Sequence, residues 1–279
     1  MSVGVIIPAA GSGTRLGEPV PKAFVKLGDR TILEVCVAGV LDAGVADTVV
    51  VVVPADLVDD ARRMVPEATV VAGGAHRSDS VRAGMDAVGV ADVVLVHDAA
   101  RPFTPPAVFG RVVDAVGAGH PAVVPGLPVA DTLKEVVPGD TSGIEQVRAT
   151  VDREPLRAIQ TPQGFTRDAL RAAHADDTGL ATDDAGLAER VGIPVHVVSG
   201  DPLAFKITTP WDLRIARDIV AESARTSTPS AGRVPTAGRV APESPSAGRV
   251  APESPTAGRV ASERSEDAYR DPSHPEAPT

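Results

Sequence analysis

The amino-acid sequence predicts an α/β protein, with a mostly parallel sheet carrying helices on both faces and an antiparallel β-arm projecting from it. Three observations lead there. Short β-branched runs alternate with stretches of helical spacing through the first two hundred or so residues. The runs are almost wholly apolar, as in Val49-Val50-Val51-Val52-Val53, which suits strands covered on both sides. Residues 126–160 break the rhythm, because their extended pieces have no helix of crossover size between them. The alternation is Rossmann-like, and about 220 residues are ample to bury a core.

Taken in order, strands are expected at Val3–Pro8, Thr48–Val53, Thr69–Val71, Val93–Val96, Ala122–Val124 and Val195–Val198. Helices are expected at Ile32–Ala43, Asp56–Val65, Ser78–Val88 and Pro106–Ala118, where apolar residues recur three and four apart. The irregular segment reads as two extended pieces around a Pro138-Gly139-Asp140 turn. It is either a long surface hairpin or an arm that pairs with a second subunit.

Beyond Glu222 the composition changes. Thr236-Ala-Gly-Arg-Val, Ser246-Ala-Gly-Arg-Val and Thr256-Ala-Gly-Arg-Val recur every ten residues, and nine of the 26 prolines follow Arg225. With few bulky apolar residues, such a segment cannot offset its ordering entropy. The expected organisation is one domain over residues 1–222 and a disordered low-complexity tail over 223–279.

Charge and cysteine content narrow the function. Against 37 Asp and Glu stand 27 Lys and Arg, a net charge of −10, and the tail is balanced, so the deficit lies in residues 1–222. That balance opposes binding to nucleic acid, which calls for a basic face. An anionic ligand must instead meet a local cluster of cations. The single cysteine, Cys36, excludes an intrachain disulfide framework and a cysteine-based zinc cage. No apolar run approaches the ~18 residues of a membrane span, and no leader opens the sequence, so a soluble, reducing, cytoplasmic setting is expected.

The most informative motif is Pro8-Ala9-Ala10-Gly11-Ser12-Gly13-Thr14-Arg15-Leu16-Gly17, closing with Pro21-Lys22. A buried strand runs into small residues whose N–H groups can approach a polyphosphate, with Arg15 and Lys22 in reach of the same ligand. It is not a phosphate loop of the Gly-Lys-Ser/Thr type, because Glu18-Pro19 follows Gly17. As a dinucleotide fingerprint its third glycine comes one place late, and Pro19 and Pro21 obstruct an immediate helix. An ordinary strand-to-helix turn would leave both cations unexplained.

Three further stretches carry polar chemistry. In Gly73-Gly74-Ala75-His76-Arg77-Ser78-Asp79-Ser80, the glycines permit close approach, and Ser78 or Ser80 either caps the following helix or touches a ligand. Arg77 reads as a buttress of this loop. Asp98, in His97-Asp98-Ala99-Ala100-Arg101-Pro102, falls at the carboxyl end of a strand, where open α/β sheets bind ligands. It suits a ribose hydroxyl or Mg²⁺; otherwise it caps the next helix or pairs with Arg101. His97 reads as packing. Lys206 is one of four lysines and sits in the apolar stretch Phe205-Lys206-Ile207; burying its charge is costly, so a nearby phosphate is expected. Lys26 and Lys134 read as surface charges.

Ala9-Ala10-Gly11-x-Gly13-x-Arg15 with Pro21-Lys22 resembles the signature loop of the sugar-phosphate nucleotidylyltransferases, and over residues 3–221 the sequence resembles more narrowly their methylerythritol-phosphate cytidylyltransferase branch. The resemblance implies a nucleotide held by Pro8, Ala9, Ala10, Gly11, Gly13, Gly73, Ser80, Asp98 and Ala99, with cytosine read at Gly73 and Ser80. Arg15 and Lys22 would act on the triphosphate. Thr132, Arg153, Thr161, Lys206 and Arg101 would position the sugar-alcohol phosphate, with Thr132 and Arg153 delivered by the arm of the second chain in a homodimer. Mg²⁺ would accompany CTP at Asp98. Thr182-Asp183-Asp184 resembles a Thr-Asp-Glu step of the family, Asp184 replacing the glutamate. A ribitol 5-phosphate cytidylyltransferase and a non-catalytic nucleotide-binding scaffold are the alternatives.

Overall fold

The structure, a computed structural model, describes residues 1–11, 16–139, 143–175 and 183–227. It is built around an eight-stranded sheet whose strands are, in chain order, β1 (Val3–Pro8), β4 (Thr48–Val53), β5 (Thr69–Ala72), β6 (Val93–Val96), β7 (Ala122–Pro128), β10 (Arg157–Ile159), β11 (Gln163–Thr166) and β12 (Val195–Ser199). The order across it is β10-β7-β11-β6-β1-β4-β5, with β12 also pairing β7. β1, β4, β5 and β6 run parallel, as do β7 and β12, whereas β10 and β11 are antiparallel to their neighbours. The remaining strands form two small antiparallel pairs, β2 (Lys26–Leu27) with β3 (Arg30–Thr31) and β8 (Leu133–Pro138) with β9 (Glu145–Val151).

Alternation along β4 shows why the sheet needs cover on both faces. Val49, Val51 and Val53 pack with Leu33, Val37 and Val40 of α1 (Ile32–Asp42) and Phe109 and Val112 of α4 (Pro106–Gly117). Val50 and Val52 face the other way, in a cluster with Val81 of α3 (Arg77–Val88), Leu170 of α5 (Arg167–Ala175) and Leu187 of α6 (Asp184–Arg190). Each fully buried aliphatic side chain contributes ~1.5–3 kcal/mol. The short α2 (Val58–Met64) completes the side of β5, and α7 (Pro210–Ser227) packs Leu213 and Ala216 against Leu27 and Ile207. No helix among the described residues is long and apolar enough to cross a membrane.

Local signals set the helix starts. The Thr31 hydroxyl accepts from the Glu34 N–H at 3.2 Å, and the Glu34 carboxylate accepts from the Thr31 N–H at 2.6 Å, a reciprocal cap for α1. Pro105 and Pro106 open α4, where a missing N–H does no harm.

The mixed α/β class and mostly parallel sheet are as expected. The four helices expected from spacing are present, α2 being shorter and preceded by a 3-10 turn at Ala55–Leu57. Spacing missed α5, α6 and α7. The projecting hairpin is narrower than residues 126–160: β7 continues to Pro128 within the main sheet and β10 returns to it, leaving β8 and β9 as the arm. The final helix passes the expected boundary at Glu222 and ends at Ser227. The chain divides into Met1–Pro229 and Ser230–Thr279, and the second unit, with the repeats expected to be disordered, lies outside the described residues.

Candidate active site

The ends of β1, β5 and β6 converge with their following loops. Three backbone bonds extend the sheet past its last ladder rungs: Ala9 N–H to the Val52 carbonyl at 2.7 Å, Gly73 N–H to Val53 at 2.8 Å and His97 N–H to Ile6 at 2.8 Å. These bonds hold the residue 8–11, 73–80 and 97–101 loops side by side. A cavity of about 250 Å³ opens between them, lined by Pro8, Ala9, Ala10, Gly11, Lys22, Gly74, His76, Arg77, Ser80, Asp98, Ala99 and Lys206 among others. Among the described residues, Lys22, Arg77 and Lys206 give this wall three cations against the single carboxylate of Asp98. On a chain of net charge −10, this is the local positive cluster that an anionic ligand requires.

Lys206 reaches the wall because the Ile207 N–H donates to the Ala100 carbonyl at 2.9 Å, tying its segment to the loop after β6. Its side chain is 45% exposed, and its ammonium lies 2.8 Å from Asp98 Oδ2. The expectation of a buried lysine needing a phosphate is therefore corrected: the charge is partly solvated and faces a carboxylate. Asp98 also has Arg77 at 3.7 Å and Arg101 at 3.9 Å. Burial works against its charge, but Lys206, Arg77 and Arg101 together hold its pKa down to about 2. It does not cap α4, whose N-cap is Pro105.

The second loop shows why glycine stands at position 73. A Cβ there would come within 2.6 Å of Ser80 Oγ and 3.1 Å of a Val52 methyl. Neither Ser78 nor Ser80 is the N-cap of α3; that position is His76, whose N–H donates to Asp79 Oδ2 at 3.0 Å. Ser80 is buried, donates to the His76 carbonyl at 3.3 Å, and forms part of the cavity wall.

Several expected residues stand behind the wall. Arg101 spends its guanidinium on the Ala204 carbonyl at 2.6 Å and the Ile159 carbonyl at 3.3 Å, so it supports Asp98 and joins β10 to the segment before Lys206. Thr161 is buried; its hydroxyl accepts from the Asp98 N–H at 3.0 Å and lies 3.1 Å from His97 Nδ1. His97 is buried against Phe109, as its packing role requires, and burial holds its pKa down to about 4. Thr132 and Arg153 are exposed at the base of the arm, the latter donating to the Ala130 carbonyl, and one chain does not bring them to its own cavity. Arg15, Gly13 and Thr182 lie outside the described residues.

The described residues contain no cluster of three or more His, Cys, Asp or Glu able to hold a metal by protein alone. A Mg²⁺ ion that takes most of its ligands from phosphates and water needs only one or two carboxylates. Asp98, anionic at any physiological pH and on the cavity wall, fits that demand.

Arg77 buttresses its loop through partners that sequence reasoning missed. Its guanidinium lies 2.6 Å from Oδ2 of the fully buried Asp184, whose Oδ1 faces His174 Nε2 at 3.0 Å. The Gly-Gly turn marked the loop but not the carboxylate behind it. His174 gave no signal, because α5 is short and its buried face, Ala169, Leu170, Ala173 and His174 itself, holds a single bulky apolar residue.

Comparison with known proteins gives the family. The family model described as IspD, 2-C-methyl-D-erythritol 4-phosphate cytidylyltransferase, matches residues 3–222. The chain belongs to the IspD family. A cytidylyltransferase of that name from Nocardia farcinica is 56% identical over 222 residues, covering 78% of this chain and 94% of the relative. One from Rhodococcus jostii is 54% identical over 220 residues, covering 78% and 95%. A crystal structure of the Thermus thermophilus enzyme superposes with a TM-score of 0.63 at 39% identity, covering 79% of this chain and all of its own. The IspD match ends where the repeats are about to begin, and it spans the cavity and the arm together.

Proposed function

We propose that the cavity at the ends of β1, β5 and β6 is where CTP and 2-C-methyl-D-erythritol 4-phosphate react. The chain is a nucleotidyltransferase of isoprenoid precursor synthesis, joining these substrates to give 4-diphosphocytidyl-2-C-methyl-D-erythritol and pyrophosphate. The observation that carries the placement is the convergence of Lys22, Arg77 and Lys206 on a cavity floored by the small residues Ala9, Ala10 and Gly11.

An oxygen of the 4-phosphate attacks the α-phosphorus of CTP in line. A new P–O bond forms as the bond to the bridging oxygen breaks, and pyrophosphate leaves with that electron pair. With a second pKa of about 6, the phosphate monoester is already anionic near neutral pH, so no general base is needed. Catalysis then rests on positioning and on charge neutralisation. Lys22, with Arg15, holds the triphosphate and stabilises the charge that gathers on the α-phosphate. The turn carrying Gly73 and Ser80 reads the cytosine, and Asp98 and Ala99 face the rest of the nucleotide. Lys206 exchanges its carboxylate partner for the phosphate of the acceptor. Asp98 would hold Mg²⁺, which when bound would supply further neutralisation of the triphosphate charge.

The acceptor is completed by Thr132 and Arg153 from the arm of a second chain. Support comes from the arm itself: it is a lone two-stranded sheet, marginal in water by itself, and it exposes Val136 and Val147. The reading includes a homodimer in the cytoplasm, with no nucleic-acid or membrane partner. The test is pyrophosphate release from CTP with methylerythritol phosphate and, separately, with ribitol 5-phosphate. Release with the first acceptor is expected; release with ribitol 5-phosphate alone overturns the reading.

A further inference from the structure

A buried line of side chains reaches the cavity from α5 and α6. His174 on α5, its side chain 2% exposed, faces Asp184 Oδ1 through Nε2 at 3.0 Å. Asp184, at the first turn of α6 and fully buried, takes Arg77 on its other oxygen at 2.6 Å. Arg77 is the first residue of α3, lines the cavity, and lies 3.7 Å from Asp98. Asp184 is itself held in register by Gln163, whose side chain bonds Asp183 at 2.7 Å and the Ala185 N–H at 3.1 Å.

Two features indicate that this line is more than core packing. The ionised Asp184 has no exposed surface, an expensive arrangement unless both oxygens are partnered, and His174 and Arg77 each serve one. His174 Nδ1, in contrast, is buried with no partner among the described residues. Leaving a buried polar atom unpaired costs about 1–3 kcal/mol, which an apolar side chain at this position would avoid. The histidine is kept for the bond that Nε2 donates.

Arg77 is drawn by two carboxylates, Asp184 behind it and Asp98 in the cavity. The shorter and drier contact with Asp184 holds the guanidinium back against the wall. Weakening that contact would let Arg77 move onto Asp98, where it would compete with Lys206.

We propose that His174 and Asp184 are positioning residues for the CTP side of the site, acting through Arg77 to fix the turn at residues 73–80. This rests on the placement of cytosine at that turn. Steady-state kinetics of the full chain test it with His174→Leu, His174→Gln and Arg77→Lys. His174→Leu raises KM for CTP about tenfold while KM for methylerythritol phosphate stays within about twofold, and it narrows the preference for CTP over UTP. His174→Gln, whose amide can donate to Asp184, restores most of the loss. Equal rises in both KM values, no rise for CTP, or a Gln variant no better than Leu overturns the proposal. Should His174→Leu fail to fold, Arg77→Lys reads the same link from its partly exposed end. An ammonium cannot span both carboxylates as a guanidinium does, and an unchanged KM for CTP in that variant is equally fatal. Normal kinetics in the His174 variants beside a crippled Lys22→Ala enzyme would remove this proposal and leave the cavity assignment standing.

Discussion

The ammonium of Lys206 lies 2.8 Å from Asp98 Oδ2. Arg77 and Arg101 share the same carboxylate at 3.7 and 3.9 Å, so Asp98 does not depend on the lysine for its charge. The lysine is also the most exposed of the three cations, at 45%. A partly exposed ion pair contributes little to stability, which leaves Lys206 available to a phosphate. Lys206→Met is expected to shift the melting temperature by no more than about 2 °C while raising KM for methylerythritol phosphate by roughly tenfold or more. A large loss of thermal stability with unchanged KM would reverse this assignment.

Lys22 and Arg153 are expected to divide their effects between the substrates. Lys22→Ala should lower kcat by about 100-fold with a smaller effect on KM for CTP, because its interaction grows with charge in the transition state. Arg153→Ala should chiefly raise KM for the sugar phosphate. If the arm serves the partner's cavity, mixing the two defective proteins restores activity to about a quarter of wild type, since half the dimers are mixed and each has one intact site. Mixtures no better than either parent would place Arg153 outside the partner's site.

Gly73 is expected to tolerate no side chain. A methyl group there would press on Ser80 Oγ and Val52, so Gly73→Ala pushes the serine toward the cavity. The expected result is a rise of roughly tenfold in KM for CTP with the fold retained by circular dichroism. Wild-type affinity for CTP in this variant would show that the turn does not read the base.

Acid should weaken the fold through His97 before it reaches Asp98. Burial lowers the His97 pKa from 6.5 to about 4. Between those values the unfolded chain takes up a proton that the folded chain refuses. Stability is therefore full above about pH 6.5 and falls by about 3 kcal/mol as pH drops toward 4. Asp98 acts lower: its pKa falls from 3.8 to about 2, so its contribution is present above 3.8 and disappears as pH falls through 2. Urea midpoints from pH 7 to pH 4 should slope in the wild type and lose this component in His97→Phe. An identical slope in both proteins would contradict a neutral buried imidazole.

Strands and amphipathic helices with strong apolar repeats were legible along the chain because burial on both sides of a sheet writes itself into every residue. Val49–Val53 and the α4 stripe of Val108, Phe109, Val112 and Val116 are of this kind. The glycine-rich loop and the residues at 73–80 and 97–101 were legible for a related reason: phosphate chemistry demands small residues and cations at strand ends. Less could be read where the pattern was diluted. α5 buries one bulky apolar residue, Leu170, among small ones, α7 carries charges through its length, β10 is three residues long, and β11, Gln163–Thr166, lacks the β-branched run that marks β6.

Sequence alone thus determined the class of fold, the loops that line the cavity, and the family to which they point, because each is a local pattern under a local physical demand. Only the tertiary structure decided which cations face the cavity and which stand behind it. Arg101 and Thr161 turned out to be supports, and Arg77 part of the wall, through partners far away in sequence: Ala204, Ile159, His97 and Asp184. A charged side chain goes where its opposite charges and hydrogen-bond acceptors are, and those come from strands and helices that only folding brings together.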